Sequence, residues 1–219
     1  VPVVGGALQA DIMHNENKLY YGMSGSVGPR CGNFILQNAD VILVIGNSLS
    51  FKQTGFNQEA FAKNAKIYMV DIEEDEAKKP GLHVEKCYPL DLSKFFDCAN
   101  EIITRINVDD GWIAYCNKVK NRFSYYEALE HIDHTIRGIA SAEFWKKLLD
   151  NAEDDAVFAL GNSSCIVPPL VFGLNKEQQR VIVNYNCGSM GDDLPEAVGV
   201  ARASDKPVYC ITGDGSIMM

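Results

Sequence analysis

Five short runs of apolar, mostly β-branched residues constrain this chain more than anything else in it: Val41–Ile45, Ile67–Val70, Ala156–Leu160, Val181–Val183 and Val208–Ile211. Each is too short for a helix, and none alternates with polar residues, as expected of strands buried on both faces. Between them lie helical candidates: Gln58–Lys63, Leu92–Asn107 with apolar positions three to four apart, Tyr125–His134, Ala142–Leu149 and Leu194–Ala203. Strands that alternate with helices predict an α/β chain with parallel sheets. With 219 residues, 47% of them hydrophobic, the chain is long enough for two modest domains with cores of their own. The polar stretch Asn107-Val108-Asp109-Asp110-Gly111-Trp112 marks a boundary, so the expected division is 1–104, a linker at 105–124, and 125–219. Both ends are abrupt. Val1–Val4 leads straight into Gly5-Gly6, and Ile217-Met218-Met219 follows a glycine turn where a helix should begin. Both domains are therefore expected to be truncated.

Charge narrows the partners. The net charge of −9 is spread over short acidic clusters, and no Lys/Arg stripe exists, so neither nucleic acid nor an anionic membrane is an expected partner. No apolar stretch is long enough to span a bilayer, and the first residues lack the basic and cleavable parts of a signal peptide; the expectation is a soluble, cytoplasmic protein. The seven cysteines are odd in number, contain no CxxC pair and sit in part within apolar runs. They read as reduced core thiols. His131 and His134 have a spacing that can bind a metal on a helix, but without a third ligand they read as part of a solvated face.

Three segments can carry chemistry. Val208–Ile211 feeds Thr212-Gly213-Asp214-Gly215-Ser216, a strand running into a turn whose glycines let backbone approach a ligand. The amides and the Ser216 hydroxyl can donate to phosphate, and Asp214 can hold a hard cation such as Mg²⁺. Alone, this is equally an ordinary capped turn. Upstream lies Asn186-Cys187-Gly188-Ser189-Met190-Gly191-Asp192-Asp193-Leu194-Pro195-Glu196. Asp193 and Glu196 have capping-box spacing and Pro195 suits a first helical turn, so a helix should start here behind a glycine loop. The third segment, Leu160-Gly161-Asn162-Ser163-Ser164-Cys165, follows a strand and offers a glycine and hydroxyls suited to phosphate.

Together these segments resemble thiamine-diphosphate-dependent enzymes, most closely the acetolactate synthase-like group. The pattern GSMG-x-DLP-x-A-x-G, an apolar strand and then GDGS has that family's order and spacing. The N-terminal half resembles the family's central domain through Tyr20–Gly25, Asn38–Ser48 and Ala62–Ile72. The implied fold is two doubly wound, mainly parallel-sheet domains: a Rossmann-like central domain and a truncated thiamine-diphosphate-binding domain.

The resemblance also implies roles. Asp214 is a Mg²⁺ ligand, and Gly213, Gly215 and Ser216 lie against the diphosphate. Gly188, Ser189 and Met190 meet the aminopyrimidine, with Met190 as the wedge that bends the cofactor. Asn162, Ser163 and Ser164 occupy a further diphosphate-contacting loop, although the family often carries glycine where Ser163 stands. Some members hold FAD in the central domain and carry an arginine just after the glycine corresponding to Gly46. Here the run is Asn47-Ser48-Leu49-Ser50-Phe51-Lys52, so FAD is not expected, although Lys52 supplies some of the missing charge. Asp71 ends a strand where a dinucleotide fold binds ribose, but no G-x-G-x-x-G precedes it, which favours a structural role.

The implied whole enzyme is a homodimer or homotetramer with the cofactor between subunits. It decarboxylates a small 2-keto acid and transfers the acyl-anion equivalent to a second carbonyl or a proton. An activating glutamate belongs to an N-terminal domain and a second metal ligand, an asparagine, lies beyond the GDG turn. Residues 1–219 alone are therefore expected to be inactive. A simple 2-keto acid decarboxylase, a nucleotide-binding module and a non-catalytic homologue remain the alternatives.

Overall fold

The computed structural model describes residues 1–102, 106–124, 129, 132, 135 and 137–219. In chain order it forms β1 (Val3–Gly5), β2 (Tyr20–Met23), α1 (Arg30–Gln37), β3 (Val41–Ile45), α2 (Phe51–Thr54), β4 (Lys66–Asp71), β5 (Val84–Pro89), α3 (Leu92–Ile102), α4 (Asp110–Arg122), α5 (Ser141–Asn151), β6 (Val157–Leu160), α6 (Val167–Phe172), β7 (Arg180–Val183), α7 (Asp193–Ala203) and β8 (Val208–Ile211). Among the described residues every strand pairing is parallel. The strands form three sheets: two three-stranded ones, ordered β3-β4-β5 and β7-β6-β8, and the two-stranded β1-β2 pair. The α/β architecture with parallel sheets is as the alternating pattern predicts. Among the described residues no helix is long and apolar enough to cross a membrane.

Burial explains the second sheet. All four residues of β6 are buried, and Phe158 meets Trp145 of α5 edge-on with ring centroids 5.0 Å apart. Trp145 and Leu149, four residues apart, form the buried stripe of α5, while Lys147–Glu143 and Lys146–Asp150 pairs occupy its outer face. The same core takes in Leu170 and Phe172 of α6 and Met23 of β2, so the β1-β2 pair is packed into the C-terminal half. The first sheet has a separate core around Ile42, Val44, Ile67 and Met69.

Several expectations need correction. Val41 and Leu43 are 61% and 51% exposed: β3 is an edge strand, and only its Ile42/Val44 face is covered, so an all-apolar run here is not buried on both faces. Gln58–Lys63 yields only a 3-10 turn at Gln58–Ala60, ended where Ala62 takes a positive φ of 43°, a conformation no helix accommodates. The helix at Leu92 is described to Ile102, residues 103–105 lie outside the description, and Ile106 and Asn107 are not helical. The segment 105–124, read as a linker, contains α4. Its N-cap Asp109 accepts from Trp112 N–H at 2.9 Å, and its Cys116 and Val119 are buried with Cys31 and Ile35 of α1. The core-thiol reading holds for Cys31 and Cys116, whereas Cys98 and Cys187 are exposed; all seven thiols are free. Most of the Tyr125–His134 helix, with His131 and His134, lies outside the described residues.

Candidate cofactor site

Order β7-β6-β8 places the chain's reversal of direction at β6/β8, the crevice where parallel α/β sheets bind ligands beyond their carboxyl ends. Three loops leave that edge. After β6 runs Gly161–Cys165, after β7 runs Asn184–Asp192, and after β8 runs Thr212–Ser216. They carry all ten predicted cofactor-binding residues: Asn162, Ser163, Ser164, Gly188, Ser189, Met190, Gly213, Asp214, Gly215 and Ser216.

Hydrogen bonds join these loops. Asn162 donates from Nδ2 to the Gly188 carbonyl at 2.7 Å, tying the first to the second. Gly191 N–H donates to Ser216 Oγ at 2.8 Å, tying the second to the third. The Met190 methyl reaches to 3.0 Å from where a side chain at Gly215 would start. Gly188 adopts φ 60°, a left-handed turn that glycine makes without strain. Ser163 takes φ 55° without being glycine, a left-handed conformation that favours glycine. No atom lies within 4 Å of where a side chain would begin at Gly188 or Gly213, so both backbones face open space. Asp214 is exposed, and its Oδ1 accepts from Gly215 N–H at 2.9 Å.

Two placements differ from expectation. Ser216 is 5% exposed, and its hydroxyl, expected toward phosphate, donates instead to Asp193 Oδ1 at 2.9 Å. Asp193 in turn is no cap. The N-cap of α7 is Asp192, whose side chain makes no cap bond and accepts from Asn184 Nδ2 instead, while the Asp193 side chain turns under the loops to meet Ser216. The capping spacing correctly located the helix start but hid the role of this residue, and its signal was a carboxylate among glycines rather than the spacing. Burial pushes the Asp193 carboxyl upward, but the hydroxyls of Thr212 and Ser216 and the N–H groups of the helix start outweigh it and hold the group below the ordinary carboxylate range. Asp193 Oδ2 has no hydrogen-bond partner among the described residues, and the Thr212 hydroxyl donates to the Gly213 carbonyl at 3.3 Å. Glu196, one turn on, is raised by burial and by Asp192 and Asp193. Among the described residues, no group of three or more His, Cys, Asp or Glu side chains gathers to hold a metal; Asp214 is a single carboxylate donor.

The first sheet has its own cleft of about 490 Å³ beyond β3 and β4, lined by Gly46, Asn47, Lys52, Gln53, Asp71 and Glu73 among others. Lys52 does not face it as a free cation. Its ammonium donates to the carbonyls of Tyr185 at 2.6 Å and Asn186 at 3.3 Å and lies 4.5 Å from the Tyr185 ring centre, bracing the loop after β7. Asp71 Oδ1 accepts from Glu73 N–H at 3.0 Å, a local turn that supports its structural reading.

Fold and site thus define a parallel α/β protein with a glycine-loop site of the kind that receives phosphate-bearing ligands. Comparison with known proteins specifies it. Residues 1–85 match the thiamine pyrophosphate enzyme central domain, and residues 161–219 match the thiamine pyrophosphate enzyme C-terminal TPP binding domain. The chain carries both domains and belongs to the thiamine pyrophosphate enzymes. It is similar to acetolactate synthase isozyme 2 large subunit of Escherichia coli (strain K12), 28% identical over 98% of this chain and 36% of that one. It is also similar to the acetolactate synthase large subunit of Cyanidium caldarium, at 26% over 100% and 37%, and to the chloroplastic acetolactate synthase of Arabidopsis thaliana, at 26% over 100% and 32%. The chain spans about a third of the length of these curated relatives.

Proposed function

We propose that this chain is the cofactor-holding part of a thiamine-diphosphate- and Mg²⁺-dependent enzyme that decarboxylates a 2-keto acid and passes the acyl-anion equivalent to a second carbonyl. The observation that carries this reading is the convergence of the loops after β6, β7 and β8 at one carboxyl edge, with open space above Gly188 and Gly213. The donor set fits the group. An exposed carboxylate suits Mg²⁺, and glycine backbone with nearby hydroxyls suits a diphosphate.

In this reading Asp214 holds the metal, and the backbones of Gly213, Gly215 and Ser216 with the Asn162–Ser164 loop receive the diphosphate. Gly188, Ser189 and Met190 receive and bend the aminopyrimidine. Thiamine diphosphate, when bound, supplies the electron sink for decarboxylation; this chain's residues position it. A second subunit completes the site in a dimer or tetramer. Flavin has no part in the proposal, because Lys52 is committed to carbonyls of the loop after β7 and the cleft presents Asp71, Glu73 and Glu76 to any diphosphate.

Calorimetric titration of the full-length protein tests this. Thiamine diphosphate should bind only with Mg²⁺, and Asp214→Ala should weaken binding at least about 100-fold, the upper end of what outer-shell changes at metal sites cost. Metal-independent binding of NAD or FAD, with no response to thiamine diphosphate, would overturn the reading in favour of a nucleotide-binding module.

A further inference from the structure

At the first turn of α7, two carboxylate oxygens are buried without a hydrogen-bond partner: Asp193 Oδ2 and Glu196 Oε2, two of the five such side-chain polar atoms among the described residues. Asp193 is the more extreme, with no exposed surface at all. A buried carboxylate costs several kcal/mol unless hydrogen bonds repay it, so a residue chosen for stability alone would be small or apolar. Its position suggests what it does there. Oδ1 accepts from Ser216 Oγ at 2.9 Å. Oδ2 lies 2.5 Å from where a side chain at Gly161 would start, so the loop after β6 rests directly on the carboxylate. The Asp193 carbonyl accepts from Cys210 Sγ of β8 at 3.7 Å. One residue therefore touches the loop after β6, the end of β8 and the turn beyond it, while its own backbone belongs to the helix that follows the β7 loop.

The bonds also have a direction. An ionised carboxylate only accepts, so the Ser216 hydroxyl must give its proton to Asp193. That leaves the Ser216 oxygen to accept Gly191 N–H at 2.8 Å. The relay Gly191 N–H to Ser216 Oγ–H to Asp193 locks the β7 loop, which carries Met190, to the turn that carries Asp214.

We propose that Asp193 is a positioning residue which, through Ser216, sets the spacing between the Gly188–Met190 loop and the Gly213–Ser216 turn and so preorganises both for the cofactor. This rests on the function proposed above. Asp193 itself touches no ligand; it acts through the bond network.

The test is Mg²⁺-dependent thiamine diphosphate affinity in the full-length protein, for Asp193→Ala, Ser216→Ala, Ser216→Thr and the Asp193→Ala/Ser216→Ala double variant, with melting temperatures alongside. Both Asp193→Ala, which removes the acceptor, and Ser216→Ala should weaken binding roughly tenfold. The double variant should be little worse than either single one, because both break one relay, and Ser216→Thr, which keeps the hydroxyl, should restore most of the affinity. Weakening by Ser216→Ala with no effect of Asp193→Ala would overturn the proposal, since the hydroxyl would then be acting on the ligand directly. Lowered melting temperatures with affinities unchanged would also overturn it, leaving a merely structural role. If Asp193→Ala does not fold, the Ser216 pair decides: equal affinities for alanine and threonine would sink the relay. Failure of the unmodified protein to bind thiamine diphosphate would refute the functional reading itself, and with it the role assigned to Asp193.

Discussion

The central strand β6 is buried along its whole length, whereas β3 in the other sheet exposes Val41 and Leu43. The carboxyl edges differ in the opposite sense. Beyond β6, β7 and β8 the backbone lies open at Gly188 and Gly213. Beyond β3 and β4 lies a cleft of about 490 Å³ lined by polar and charged side chains, Asn47, Gln53, Asp71 and Glu73 among them, and Lys52 reaches from it to the loop after β7. Two sheets of the same parallel plan thus divide the work. A rigid, fully covered strand supports exposed glycine loops in one, and a half-covered sheet braces those loops from the side in the other. Precision in a binding site comes from the rigidity of the elements beneath it.

The contrast can be broken most sharply in the cores. Phe158→Ala should cost about 3–5 kcal/mol, the range for removing a large buried aromatic, while Val41→Ala should change stability by less than about 0.5 kcal/mol, as exposed positions do. Denaturant unfolding measures both, and equal effects would erase the distinction between the sheets. A smaller effect follows from the thiols. Burial pushes Cys31 and Cys116 up to about 11 from an ordinary thiol value near 9. The folded protein therefore keeps protons that the unfolded chain releases as pH rises above about 9, so these two groups make stability fall between about pH 9 and 11. In the native protein near pH 8, alkylation should reach exposed Cys98 and Cys187 quickly and spare Cys31 and Cys116, as mass mapping would show. Smallest is Ser163→Gly. Relief of the left-handed backbone at φ 55° is set against glycine's greater unfolded-state freedom, so melting should shift stability by no more than about 1 kcal/mol.

The sequence pattern located the strands well where apolar runs stand between turns. Val41–Ile45 and Val208–Ile211 are strands with those same bounds, and β6 and β7 differ by one residue. It was silent where burial is partial or the period is interrupted. β5, Val-Glu-Lys-Cys-Tyr-Pro, is a largely exposed edge strand with charged residues and a terminal proline. Helix α1 contains Gly32, which looks like a breaker but is required because a side chain there would start 2.3 Å from the Met23 carbonyl oxygen. Helix α4 buries little more than Cys116 and Val119, too weak a stripe to stand out from a polar stretch. At the site, glycine loops were readable because ligand-facing backbone needs particular residues. The inward turn of Ser216 and the burial of Asp193 were not, because they depend on how loops from three strands stack, which no local spacing encodes.

Hydrogen–deuterium exchange of the full-length protein with and without thiamine diphosphate and Mg²⁺ addresses the central claim most directly, by showing which sheet edge holds the cofactor. Exchange should slow at 161–165, 184–192 and 212–216 and stay unchanged at 46–53 and 71–76. Protection at the edge beyond β3 and β4, with none at the three glycine loops, would contradict the account.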